Sequence, residues 1–324
     1  MVQFKYDISV IIPTFNRAEQ LMVALDSLAR QDYDKSRFEI LVVDNNSSDR
    51  TEGAVCRFRD EHPDISVRYI FEPRKGLVYA RHAGAKSASF EILVFTDDDA
   101  ILTESWLSEI NDVFQLNNDI AAVAGKILIR WDEPPPGWVL PYEHLLGRLD
   151  YGDQVRVEKG LFINGGNFSI KKTVLKEVGG FNPDQIGAWL IGDGETGLCR
   201  KLHTHGYLIG WAPAALMEHF QIVRKNATFK DIKRRYINNG RSVPYDIFAV
   251  KKLGMLPLLK NLYHAAGSIK RSVRDYISAC RSENRDDQYL ALFNVAYYGC
   301  QFPYTFKLLL NSRFRRLISQ SDWW

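Results

Sequence analysis

The sequence predicts an α/β protein whose first two-thirds form a mostly parallel, doubly wound sheet, followed by a helical extension. Three observations carry this reading. Short continuous apolar runs of strand length alternate with stretches of helical periodicity through the first hundred residues. Strand-like sequence ends near Phe220, and basic, aromatic, helix-like sequence replaces it. Charge divides at the same place: residues 1–219 hold 23 Lys and Arg against 32 Asp and Glu, and residues 220–324 hold 19 against 7. The expected units are therefore a catalytic-sized domain over 1–219 and a basic extension over 220–324. With 324 residues and 46% apolar composition the chain can bury a sizeable core, which argues against disorder.

The run ISVIIP from Ile8 is apolar at nearly every position, as expected of a strand covered on both faces, and a proline ends it. Between Arg17 and Ala29, residues Leu21, Ala24, Leu25 and Leu28 recur at helical spacing. EILVVD (Glu39 to Asp44) is a second buried strand, and NNSSDRT supplies a turn and a helix N-cap. VRYIFE near residue 70, GLVYARHAGAKSA and EILVFTDDD (Glu91 to Asp99) continue as strand, helix and strand. An amphipathic helix (Trp106 to Leu116) and the strand AAVAGKILI follow. WDEPPPGWVLPYE is too rich in proline for a regular element and is expected to be a surface loop. A strand or hairpin (Leu161 to Ile170), the helix KKTVLKEVGGF closed by glycines, and GDGETGLCRKLHTHGY, helical in its second half, complete the domain. No internal repeat is visible.

Four widely spaced cysteines without a CxxC pair suggest neither a zinc site nor a disulfide framework. MVQFKYDISVIIP enters strand-like sequence at once, without a secretory-signal pattern. The expectation is an unexported, cytoplasmic protein.

The residues that carry chemistry gather at predicted strand ends, where open α/β sheets bind ligands. Asp97, Asp98 and Asp99 follow directly on the apolar run ILVF. Three like charges there repel one another, and a divalent cation with a polyanionic ligand relieves that repulsion. Asp44 ends another strand. The loop PTFNR offers the Thr14 hydroxyl, the Asn16 amide and the Arg17 guanidinium near the same edge, and Arg81 can reach it from a helix.

In their order and spacing, VIIPTFNR, VVDNNSSD, GLVYARHAG and FTDDD resemble glycosyltransferase family 2, with its GT-A nucleotide-diphospho-sugar fold. NGGNFSIKK, GGFNPD, GDGETGLCRKL and MEHF extend the resemblance over roughly residues 6 to 220. It implies that Pro13 and Thr14 line the nucleotide, that Asp44 contacts the base, and that Arg81 contacts base or phosphate. Asp97 to Asp99 match the family's DxD element, in which the first carboxylate meets the ribose and the last the metal, with Asp98 able to take either role. His219 matches a histidine that completes the metal or diphosphate site. The implied metal is Mn²⁺ or Mg²⁺.

Inverting transfer needs a base for the acceptor hydroxyl, and the family draws it from an acidic pair opening a helix. This sequence departs from the pair with Asp193-Gly194-Glu195. Alignment through LCRKL places Glu195 at the base position and Gly194 where the first acid usually stands. Asn164, Gly165, Gly166 and Asn167 fall on the acceptor side, and Trp189 and the PPPGW loop can stack on a sugar or a lipid. The implied donor is a nucleotide-diphosphate sugar, UDP-sugar favoured, and the acceptor a saccharide or a lipid-linked glycan in polysaccharide or glycoconjugate assembly. A catalytically silent nucleotide-sugar-binding protein is the alternative that the altered acidic pair raises. A nucleotidyltransferase would need a Gly-rich activating loop, which PTFNRAEQL does not provide.

The extension interleaves Lys and Arg with Leu and aromatic residues. This composition suits interfacial helices on an anionic membrane, or a cap packed on the catalytic domain. YLALFNVAYYGCQFPYTFKLLL has a bilayer's length, but Asn294, Gln301, Pro303 and Lys307 interrupt it. No nucleic-acid motif accompanies the basic residues, and none is expected as a partner. The expected location is the inner face of the cytoplasmic membrane, as a peripheral protein.

Overall fold

The computed structural model describes residues 5–183, 193–320 and 322–324, with the backbone alone at 185–186 and 189–190. Its sheet opens with β1 (Ile8–Thr14), β2 (Phe38–Asp44), β3 (Ser66–Phe71) and β4 (Ile92–Thr96), paired in parallel in the order β3-β2-β1-β4. All of β1 and β2 is buried because helices cover both faces. Ile8, Val10 and Ile12 pack with Leu21, Leu25 and Leu28 of α1 (Ala18–Ala29) and Phe58 of α2 (Thr51–Glu61). Ile11 faces the other way, against Ala80 and Ala85 of α3 (Leu77–Ser87). The alternation is that of a doubly wound sheet. Since β2 and β4 flank β1, the strand order reverses at β1, and the carboxyl ends of β1 and β4 border the crevice where such sheets bind ligands.

The second half adds β5 (Ala100–Leu102), α4 (Trp106–Leu116), β6 (Ile120–Trp131), β7 (Arg156–Glu158), β8 (Asn167–Lys171) and α5 (Lys172–Glu177). β9 (Gln185–Ile186), β10 (Trp189–Leu190), α6 (Gly194–Thr204) and β11 (Leu208–Gln221) follow. β8 inserts antiparallel between β4 and β6, and β11 lies parallel to β6 and antiparallel to β5. The pairing of β11 with β5 sets His219 opposite Ala100, one residue from Asp99.

Three expectations change. The proline-rich insert is not only a surface loop: Gly137–Leu146 forms short helical turns with Val139 and Leu146 buried. Its Trp138 and Tyr142 pack edge-on against Tyr289 and Phe293 of the extension. The predicted strand from Leu161 starts only at Asn167, because the Asn164–Gly166 turn precedes it. The boundary at 219 falls inside β11.

Beyond it, α7 (Val223–Asn226), α8 (Phe229–Tyr245), a wide turn (Asp246–Val250), α9 (Met255–Arg281), α10 (Arg285–Gly299), α11 (Gln301–Leu310) and α12 (Ser312–Ile318) form a bundle around Tyr245, Leu258, Tyr304, Leu308 and Phe314. The bilayer-length apolar stretch is split between α10 and α11, and its Ala291, Phe293, Tyr304 and Leu308 are buried. Among the described residues no helix is long and apolar enough to cross a membrane.

Candidate active site

Asp97, Asp98 and Asp99 leave the end of β4 in three directions. Asp98, only 7% exposed, turns back to β1: Thr14 Oγ1 donates to it at 2.7 Å and Arg17 Nη1 at 2.8 Å. Burial pushes its carboxyl up to about 6 against the pull of Arg17. Arg17 Nη1 also bridges to Asp99 Oδ2 at 2.8 Å. The other oxygen of Asp99 lies 3.1 Å from His219 Nε2. Burial opposes ionisation of both partners, yet the contact with His219 and the charge of Arg17 hold Asp99 below the usual carboxylate range, and Asp99 in turn raises His219. His219 Nδ1 sits 2.8 Å from the Leu146 carbonyl, an acceptor only, so Nδ1 carries a proton and Nε2 is the ring nitrogen presented to the carboxylates.

Asp97 accepts no hydrogen bond among the described residues, and burial raises its pKa. Ligand atoms of Asp97, Asp99 and His219 all lie within 4.8 Å of one another. Two hard carboxylates, one of them without a hydrogen-bonded partner, and an imidazole nitrogen oriented by its second hydrogen bond form a donor set that fits Mn²⁺ or Mg²⁺. Gly166 makes room for this arrangement, since a Cβ there would stand 2.7 Å from Asp97 Oδ2.

A cavity of about 520 Å³ opens over these residues. Pro13, Thr14 and Arg17 line it, as do the three aspartates and His219. Asn16 holds a positive φ and accepts from Ser48 N at 2.7 Å, so its amide shapes the loop between β1 and α1. Sequence reasoning did not single out Asn45, Lys75, Lys225 or Arg235, which also border the cavity. Asn45 spans from β2 to the loop before α3, accepting from Gly76 N and donating to Arg74 O, each at 2.7 Å. Lys225 and Arg235 come from α7 and α8, within the basic stretch read as a membrane tail. Only the β11 to α7 connection reveals their place, and it is a tertiary fact without a local signal.

Asp44 does not border this cavity. It is buried, accepting from Ser47 N at 2.8 Å and the Tyr69 hydroxyl at 2.7 Å. Arg81 is 3% exposed and does not border this cavity, donating to Gly165 O at 2.9 Å and reaching Glu195 Oε2 at 3.5 Å. A Cβ at Gly165 would stand 2.3 Å from Arg81 Nη2 and would displace the guanidinium. Asn164 closes the turn by accepting from Gly166 N. The assignment of Asn167 to an acceptor is corrected: it is fully buried, its Oδ1 accepts from Trp106 Nε1, and its Nδ2 donates to Lys126 O and Ala215 O. No polar atom remains for a ligand. The Trp189 side chain lies outside the described residues.

Asp193 and Glu195 differ sharply. Asp193, 4% exposed, accepts from Arg200 at 2.6 Å and from Asn182 at 2.9 Å. Glu195, 29% exposed, has only the Arg81 contact among the described residues, and its charge is near enough to raise Asp97. It borders a second groove of about 580 Å³ between α6 and α8, together with Asn238, Asn239 and Ser242.

Comparison with known proteins agrees with this architecture. Glycosyltransferase AglE of Haloferax volcanii is 36% identical over 100 residues, which cover 31% of this chain and 33% of that protein. The glucosyl-dolichyl phosphate glucuronosyltransferase of the same organism is 28% identical over 181 residues, covering 54% and 56%. The match thus spans between a third and just over half of these relatives' length. Among solved structures, mannosyltransferase PcManGT from Pyrobaculum calidifontis, in complex with GDP-Man and Mn²⁺, is similar with a TM-score of 0.60 at 22% identity, over 96% of this chain and 89% of that one. S. aureus TarS is similar with a TM-score of 0.53 at 15% identity, over 90% and 91%. These likenesses establish the GT-A fold. The family model described as Glycosyl transferase family 2 matches residues 9–179, more than half of the sequence, and the chain belongs to that family.

Proposed function

We propose that the protein is an inverting glycosyltransferase that moves a sugar from a nucleotide-diphosphate donor to a saccharide or lipid-linked acceptor in glycan assembly. The observation that carries this is the convergence of Asp97, Asp99 and His219 within 4.8 Å, beneath a cavity also bordered by Arg17, Lys75, Lys225 and Arg235. A polyanion that shares a cation with the carboxylates satisfies both sets of charges at once. Asp97, Asp99 and His219 would hold the divalent ion, which when bound offsets the charge gathering on the departing diphosphate. Lys225 adds positive charge on the same side, and Arg235, paired with Asp231, borders it as well. Glu195, near enough to Asp97 for their charges to interact and open to the second groove, takes the proton of the acceptor hydroxyl as its oxygen bonds to the anomeric carbon and the bond from that carbon to the diphosphate breaks. Arg81 holds the Glu195 carboxylate in place while itself fixed to Gly165.

PcManGT was solved with GDP-Man, and TarS with UDP and with UDP-GlcNAc, so both bases are candidates for the donor here. The test is calorimetric titration of UDP and GDP with and without Mn²⁺, followed by a donor-turnover assay. At least one nucleotide is expected to bind about tenfold or more tightly with Mn²⁺. Absence of nucleotide binding under all conditions overturns the reading, and binding without any turnover favours the silent nucleotide-sugar-binding alternative.

A further inference from the structure

We propose that the outward ridge of α9, with the turn that precedes it, docks on an anionic lipid bilayer surface. The helix is buried along one line only. Leu258, Ala265, Ser272 and Ala279 recur every seven residues and face the bundle. On the other side Leu253, Leu256, Leu259 and Tyr263 are 54, 64, 49 and 80% exposed. Spacings of three and four residues stack Leu256, Leu259 and Tyr263 on one face of the helix. Single exposed leucines are ordinary, but a contiguous stripe marks a surface that meets another phase or partner. Phe306 and Leu310 of α11 are also exposed, although their helix shares the core of the bundle with Leu258.

Charge identifies the occupant. Between Asp246 and Asp275 the chain carries Lys251, Lys252, Lys260, Lys270, Arg271 and Arg274 and not one acidic residue. Lys251 pairs with Asp246, whereas the other five make no ion pair among the described residues. Leucine and tyrosine flanked by unpaired cations on long stems suit an interface in which the rings and chains enter the headgroup boundary while the charges meet anionic headgroups. With no described helix able to span a bilayer, the association is peripheral.

The second groove is bordered both by Ile247 and Lys251, in and beside the turn that leads into the ridge, and by Glu195. If that groove takes the acceptor, a point that rests on the function proposed above, an acceptor carried on a lipid reaches Glu195 from the plane of the membrane.

The experiment is flotation of the full chain with vesicles of phosphatidylcholine alone and of phosphatidylcholine mixed equally with phosphatidylglycerol, without nucleotide. The wild type is expected to float only with the anionic vesicles. Two double variants are compared with it: Leu256→Asp with Leu259→Asp, and Lys252→Glu with Lys260→Glu. These residues are exposed and border neither cavity, so Mn²⁺-dependent nucleotide affinity is expected to stay as in wild type and to report an intact fold. The first variant is expected to lower the bound fraction about tenfold, and the second to remove the preference for anionic lipid. Flotation of the first variant equal to wild type overturns the proposal, as does failure of the wild type to bind either vesicle. Self-association of the wild type in solution that the first variant abolishes assigns the ridge to a second copy instead. Loss of nucleotide binding with flotation intact counts against the proposed function and leaves the docking surface standing.

Discussion

The two acidic stations of the site, Asp97-Asp98-Asp99 and Asp193-Gly194-Glu195, divide their labour in the same way. In each, the most buried carboxylate is tied up by arginine and hydrogen bonds: Asp98 by Arg17 and Thr14, Asp193 by Arg200 and Asn182. On the function proposed above, the acids left for chemistry are Asp97, which accepts no hydrogen bond among the described residues, and Asp99, which shares Arg17 with Asp98 and contacts His219, in one station, and Glu195 in the other. The difference lies in what crowds them. Asp97, Asp99 and His219 lie close enough together to share a cation, whereas Glu195 faces Arg81 and only its charge reaches Asp97. On the function proposed above, proximity to its neighbours, more than residue type, would separate an acid that holds metal from one that acts as a base.

Breaking the first station should have the largest effect. Asp99→Ala is expected to weaken Mn²⁺-dependent nucleotide binding about a hundredfold or more and to reduce turnover to background, as seen by calorimetry and a donor-turnover assay. Affinity unchanged in the presence of Mn²⁺ would show that the triad holds no metal. Breaking the second station should spare binding. Glu195→Gln is expected to keep donor affinity and lower turnover roughly a hundredfold or more. A variant with wild-type turnover would remove Glu195 from the mechanism.

A buried ionisable group outside both stations sharpens the comparison, because there burial is the largest influence. His82 Nε2 accepts from Phe181 N at 2.9 Å, and burial, with Lys86 and Lys201 nearby, depresses its pKa to about 4. The unfolded chain takes up that proton near pH 6.5, so stability present above this pH is lost as pH falls toward 4, by about 3 kcal/mol from this group. Asp98, pushed up to about 6, works in the opposite direction over the same window, so the comparison must be a difference. Urea unfolding at a series of pH values should therefore give a profile steeper for wild type than for His82→Gln; parallel profiles would mean that His82 titrates normally. The smallest effect is expected at Asp193. Asp193→Asn keeps the contact from Asn182 but not the charge facing Arg200, and should cost about 2 kcal/mol of stability with less than a tenfold change in turnover. If it matches Glu195→Gln in turnover with full stability, the two acids have exchanged roles.

The parallel half of the fold was legible because a strand buried on both faces needs continuous apolar sequence, and ISVIIP, EILVVD and EILVF supply it without ambiguity. The acidic triplet was legible by its position at a strand end. Its internal division was not, since the direction in which each carboxylate turns depends on Thr14 and Arg17 across the crevice. Asn167 misled for a related reason: a motif asparagine beside glycines reads as ligand-facing, but strand alternation after the turn aims it at Trp106. The composition of residues 220–324 disclosed their charge and could not disclose that some of it, Lys225 and Arg235, folds over the cavity while the rest stays outside.

The pairing of β11 with β5 joins Asp99 to His219 across about 120 residues of chain. Thr14, Arg17 and Asp98, by contrast, all belong to the first hundred residues. Contacts of such separation form late in folding, because the intervening loop must be closed before it is rewarded. During refolding, the far-ultraviolet signal of the parallel half should therefore recover before the ability to bind Mn²⁺ does. An ion held by the proposed triad would be captured only by chains whose final sheet strand is in register, and the stoichiometry of Mn²⁺ binding would then measure how much of a preparation has completed its fold.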